Sequence, residues 1–136
     1  MNLRLRKLGL FVRIASVAAR LPGRVKRAEL QDMLRSYTPD ARFQPLQGWS
    51  AEDILKLVRL YLIRPIRMRG RRCIRRGLVG FYFLRLAGIA AELRFGVFTN
   101  TTPGSRYQAH CWIVLPDGRE EDPPVDPCRV ILTWPS

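Results

Sequence analysis

Apolar residues recur at helical spacing through the first twenty positions: Leu3, Leu10, Ile14, Val17, Ala18 and Leu21, with arginines between them. This pattern predicts a helix that stops at Pro22-Gly23. A second, short helix is predicted over 25–36, where Val25, Leu30, Met33 and Leu34 share a face. Residues 37–49, YTPDARFQPLQGW, hold two prolines and a glycine and read as a loop. Ser50, followed by Glu52 and Asp53, supplies a hydroxyl cap and first-turn acids for a helix running through Ile54, Leu57, Val58, Tyr61 and Leu62 and ending near Pro65. Gly70 and its neighbouring arginines predict another loop. From about Cys73 the helical period returns through Ile74, Leu78, Phe81, Tyr82 and Leu84, with Gly88 as a ready C-terminal cap. A helix this apolar belongs in the core.

After Gly88 the period changes from helix to strand. The segments AELRFGVFT and YQAHCWIVL read as two strands, Pro116-Asp117-Gly118 as a hairpin turn returning through 119–126, and Val130 to Trp134 as a last short strand. The order, helices first and then an antiparallel sheet, predicts an α+β fold. The loop at 37–49 divides the chain into an N-terminal helical region, 1–49, and a core, 50–136, within one compact domain.

Composition narrows the partners. The formal net charge is +13, and Lys occurs only at positions 7, 26 and 56, so most of the charge is arginine. Guanidinium suits carboxylates and phosphates, which admits nucleic acid, a membrane surface or an acidic polypeptide; solvated helix faces account for the same charge equally well. Arg13 interrupts the first apolar run, which leaves it too short for a secretory signal, and charges recur too often for a membrane span. Residues 3–20 also suit an amphipathic helix on a membrane surface, although packing on the rest of the domain is the expected fate. Cys73, Cys111 and Cys128 are an odd, widely spaced set, which predicts thiols in a reducing cytoplasm. No C-x-x-C pair occurs and there is one histidine, so no metal site is expected.

Cys73 opens its predicted helix amid Arg71, Arg72, Arg75 and Arg76. Unpaired backbone N–H groups, the helix dipole and guanidinium charge all favour thiolate there, the state a cysteine nucleophile needs. His110, the one histidine, is the base that any cysteine–histidine dyad must use. A three-residue turn at 116–118 pairs Leu115 with Arg119 and His110 with Pro124. That register sets Asp122 and Asp126 on the face of His110, each one diagonal step away, as two candidates to orient the imidazole.

The stretch from RRCIRRGLVGFYFLRLAGIAAELRFGVFTN to YQAHCWIVLPDGREED resembles the transglutaminase-like leader peptidases of lasso-peptide biosynthesis. That family carries a helix of type C-L-x-R-S-L-x-L-x-x-L-L-R-x-x-G-I, a strand like A-x-L-x-x-G-V, and a strand of type A-H-A-W-V-E-V-D-G. Cys73, Gly88-Ile89, Ala91, Leu93, Gly96-Val97, Ala109-His110, Trp112 and Asp117-Gly118 match in order, over roughly residues 70–122. The resemblance implies a transglutaminase-like, papain-like core with the nucleophile helix packed on a small antiparallel sheet. It implies a triad of Cys73, His110 and Asp122, with Asp126 as the rival acid because VDPC resembles the V-D-P-T ending of larger transglutaminase cores. It further implies cytoplasmic removal of a leader from a ribosomally made precursor peptide, alongside a leader-recognition protein and a macrolactam cyclase. No cofactor is expected on this chain itself; any ATP dependence enters through a partner. Three departures stand out: Gly77 replaces a small serine or alanine, Cys111 replaces the alanine after the histidine, and Pro116 lengthens the turn.

Two readings compete. A basic nucleic-acid-binding module needs exposed aromatics for stacking, whereas Phe81, Tyr82 and Phe83 sit in an apolar helix. A non-catalytic scaffold would keep the fold to present a peptide and would have no use for a reactive thiol.

Overall fold

The computed structural model describes residues 2–20, 27–62, 72–99 and 109–135. The sequence readings that rest on Pro22-Gly23, Val25, Pro65, Gly70 and the segment 100–108 lie outside these residues. Four helices and four strands form within them: α1 (Leu3–Ala19), α2 (Arg27–Ser36), α3 (Ala51–Leu62), α4 (Arg72–Leu86), β1 (Glu92–Phe98), β2 (Ala109–Val114), β3 (Glu120–Glu121) and β4 (Cys128–Trp134).

The helix ends follow from local chemistry. Asn2 caps α1 by accepting from the Arg4 N–H, and Ser50 Oγ caps α3 by accepting from the Asp53 N–H at 3.1 Å. α4 stops in a Schellman motif: Gly88 takes φ +78°, Ile89 N–H donates to Leu84 C=O, and Gly88 N–H donates to Arg85 C=O. The C-terminal end of α1 is closed from a distance of 57 residues. Arg75 donates through Nε (3.1 Å) and Nη2 (2.7 Å) to the Ala18 carbonyl, placing a cation where the helix dipole favours one.

The sheet is antiparallel, in the order β3-β2-β1-β4. β4 therefore returns to the far edge of β1, and Trp134 Nε1 fastens it to the loop after α2 by donating to Thr38 Oγ1 at 2.9 Å. The β2–β3 turn has the expected register. Leu115 N–H donates to Arg119 C=O, Gly118 adopts φ +91°, and Val114 and Ile113 pair with Glu120 and Glu121. Asp117 accepts from the Arg119 backbone and side chain; these bonds, the backbone one foremost, hold its carboxyl below the usual range.

One apolar cluster joins the two regions that the loop at 37–49 separates. Leu10, Ile14 and Ala18 of α1 meet Ile54, Leu55 and Val58 of α3 and the fully buried Leu78, Phe81, Phe83 and Leu84 of α4. α1 is thus packed on the domain. No helix among the described residues is long and apolar enough to cross a membrane.

α4 approaches the sheet closely at two glycines. A Cβ on Gly77 would stand 2.7 Å from Cys111 Sγ and 3.2 Å from Leu93 Cδ2, and one on Gly80 would stand 2.7 Å from Ile113 Cδ1. Gly77 and Cys111 therefore touch: the sulfur at 111 fills the space that a side chain at 77 would need, an exchange of volume across one contact.

That exchange predicts strong coupling. Gly77→Ala gains roughly 1 kcal/mol of helix propensity but forces its methyl against Cys111, at a cost of about 1–3 kcal/mol. Urea denaturation should show Gly77→Ala and Cys111→Ala each destabilising the fold. The double variant should recover at least about 1 kcal/mol relative to the sum of the two; strict additivity would contradict the contact. Separately, Arg75→Met should lower stability by about 1.5–3 kcal/mol through loss of a charged hydrogen bond to a helix end, measured in the same way.

Candidate active site

Cys73 is the second residue of α4, whose first turn contains no acid. Its side chain and that of Arg72 lie outside the described residues, as does Arg71. Gly77 and Arg76 follow one helical turn later and are described. Gly77 presses on Cys111 of β2, so the backbone at the start of α4 runs close to the start of that strand. Arg75 is committed to the Ala18 carbonyl and Arg76 approaches Asp122, so both of these arginines, expected to bias the thiol, also have structural partners.

Strand alternation sorts the residues of β2. Cys111 and Ile113 face α4 together with their β1 partners Phe95 and Leu93. His110 and Trp112 consequently belong to the other face. Their rings stack there, centroids 5.9 Å apart and planes inclined by 21°, and Phe98 lies 6.1 Å from the imidazole. Gly96, the β1 partner of His110, forms the floor of this face. A Cβ there would collide with Cys128 Sγ and stand 3.2 Å from the tip of Trp112. Burial raises the Cys128 thiol pKa, opposite to what a nucleophile needs. Cys111 and Cys128 are not in disulfides.

His110 reaches past the edge of β2, where pairing with β3 ends after Glu121. Its Nε2 lies 2.7 Å from the backbone carbonyl oxygen of Asp122. A carbonyl only accepts, so Nε2 carries the proton and Nδ1 of the neutral ring is left as the base. Asp122 takes φ +59°, a left-handed conformation that aspartate tolerates better than most residues, and this turns the chain out of the ladder. Its carboxylate oxygen Oδ2 then stands 3.6 Å from Arg76 Nη1 on α4. Asp122 thus touches the imidazole with its main chain and the first turns of α4 with its side chain.

The register derived from the turn holds at Val114–Glu120 and Ile113–Glu121 but does not extend to His110 and Pro124, and the ring meets the main chain of Asp122 instead of a carboxylate. Pro123 and Pro124 follow Asp122 directly; Pro123 would fall opposite Cys111 at a hydrogen-bonded position, and proline cannot donate to a ladder, so pairing ends before it reaches His110. Asp126 is exposed and makes no hydrogen bond or ion pair with the described residues. Of the two candidate acids, only Asp122 meets His110 here. The part played by Arg76 was missed in the sequence reading, although the Asp-Pro-Pro triplet signalled that the strand would break.

Two buried donors near this point have no acceptor among the described residues: Arg76 Nε, and Nε1 of Trp112, which is 4% exposed. No group of three or more His, Cys, Asp or Glu side chains that could hold a metal ion occurs among the described residues.

Comparison with known proteins gives one family. Residues 2–127 match the family model described as the transglutaminase-like superfamily, so the match includes the N-terminal helices as well as the sheet. No curated protein and no solved structure matches. With a helix opened by cysteine, a histidine on the second strand and a match over nearly its whole length, the chain belongs to the transglutaminase-like superfamily.

Proposed function

We propose that this chain is a cysteine peptidase that removes the leader from a ribosomally made lasso-peptide precursor, with Cys73 as nucleophile, His110 as base and acid, and Asp122 as orienter. The observation that carries the reading is the bond from His110 Nε2–H to the Asp122 carbonyl. It fixes the tautomer that leaves Nδ1 unprotonated, the state a base needs to take a proton from a thiol. The position of Cys73 in the first turn of α4 supports the same reading, since unpaired N–H groups and the helix dipole favour thiolate there.

In this scheme the Cys73 thiolate attacks the carbonyl carbon of the last leader residue, and the carbonyl oxygen becomes an oxyanion. The Cys73 backbone N–H donates to it. Collapse breaks the C–N bond, and the protonated Nδ1 of His110 gives its proton to the departing amine. The neutral ring next takes a proton from water, which attacks the thioester and releases the leader carboxylate and the thiol. Asp122 holds the ring through its carbonyl while its carboxylate and Arg76 tie the same loop to α4. The cyclase, as partner, closes the macrolactam. The chain acts in the cytoplasm, where its cysteines stay reduced.

Cleavage of the precursor peptide encoded beside this chain's gene, in the presence of its recognition protein, tests the assignment by mass spectrometry. Cys73→Ala should abolish formation of the free leader while the fold stays intact; retained cleavage contradicts the scheme. The acids should separate as well. Asp122→Asn keeps the left-handed conformation and the carbonyl, so the rate should fall only about tenfold, far less than the ~10⁴-fold seen where a carboxylate itself fixes the tautomer. Asp126→Asn should leave the rate unchanged. A loss of several thousandfold in Asp122→Asn would show that the carboxylate, and not the carbonyl, holds the ring.

A further inference from the structure

α1 is apolar on two faces. Leu10, Ile14 and Ala18 are buried in the core, whereas Leu5, Leu8 and Val12, on the opposite side, are 60%, 58% and 58% exposed. With the half-buried Ala15 and the exposed Ala19, these outer residues follow the 3–4 spacing of a heptad seam: Leu5, Leu8, Val12, Ala15, Ala19. Small residues, Gly9 and Ser16, border the seam on one side. Beyond them run Arg6, Arg13 and Arg20, seven residues apart. Arg4 borders the other side; Arg6 lies over the Trp49 ring, 5.2 Å from its centroid, and Arg4, Arg13 and Arg20 form no ion pair with a described residue. The cations at the N-terminal end, Arg4, Arg6 and Lys7, sit where the helix dipole favours anions, and no acid stands in the first turn.

We infer that the outer face of α1 docks an acidic amphipathic helix of a partner protein, whose apolar ridge lies on Leu5, Leu8 and Val12 and whose carboxylates reach across Gly9 and Ser16 to Arg13 and Arg20. Charge complementarity selects this occupant. A second copy of the chain would bring arginine against arginine, at a formal charge of +13 on each molecule. A membrane surface suits a broad apolar face with a polar face turned to water, but this seam is narrow and the other side of α1 is in the core. The inference does not depend on the peptidase reading.

The probe is a synthetic helical peptide of about three heptads, leucine at the seam positions and glutamate beside them, titrated against the full chain by calorimetry. It should bind in a salt-sensitive manner. Leu8→Ser with Val12→Ser should weaken binding about tenfold or more, as should Arg13→Glu with Arg20→Glu. A peptide carrying lysine in place of glutamate should bind only the arginine-reversed variant. All four positions are exposed, so thermal unfolding of the Leu8→Ser with Val12→Ser variant should match the parent, and the arginine-reversed variant should lose only a little, because Glu at position 20 faces the negative end of the α1 dipole. Failure of the glutamate peptide to bind, or binding indifferent to both variants, overturns the proposal. So does seam-dependent binding to phosphatidylglycerol-containing vesicles without peptide binding, or seam-dependent self-association in the ultracentrifuge. None of these outcomes bears on Cys73.

Discussion

The rest of the structure depends on the close contact between α4 and β2 at two glycines. Gly77 and Gly80 let the helix backbone settle onto Cys111 and Ile113 with no side chain between them. That contact fixes the height and rotation of α4 over the sheet. The first turn of the helix, with Cys73 in it, is thereby held near the start of the strand that bears His110. A larger residue at either glycine lifts the helix and displaces that turn, because close-packed interiors transmit small changes in volume.

From this contact the site is reached around the edge of the sheet. Alternation sends Cys111 toward the helix and His110 away from it, and the imidazole finds its backbone partner at Asp122, just past the end of β3. Asp122 makes that possible. Its left-handed backbone ends the ladder, offers a carbonyl to the ring and turns a carboxylate toward Arg76. A longer β3 would cover the edge and separate the two faces, and the proline pair after Asp122 prevents this.

Much of this was legible in the sequence because the signals are local. Ser50 and Gly88 marked helix ends through capping chemistry, and Pro116-Asp117-Gly118 set the hairpin register through the conformation its glycine permits. The change in period marked β1 and β2, whereas the return strand stops at Glu121 instead of running to 126 and β4 starts at Cys128, before Val130. What was not legible depends on distance. Nothing near Val130 announces that β4 pairs with β1 at the far edge, because strand order is settled by packing between remote segments. The roles of Arg75 and Arg76 were likewise hidden. As members of a basic run they suggest an electrostatic field, while in the fold Arg75 meets the end of α1 and Arg76 meets Asp122. The exposed seam of α1 is not announced locally either, because its leucines share the 3–4 spacing of the face that packs on the core.

The reactivity of one thiol bears most directly on the central claim. Alkylation of Cys73 by iodoacetamide, followed as a function of pH by peptide mass spectrometry, reports its thiolate fraction separately from Cys111 and Cys128. A nucleophile paired with His110 at a helix start reacts well below the ordinary thiol pKa of about 8.5, and the His110→Ala variant loses that advantage. A Cys73 that titrates like an unperturbed cysteine, with or without the imidazole, would contradict the account.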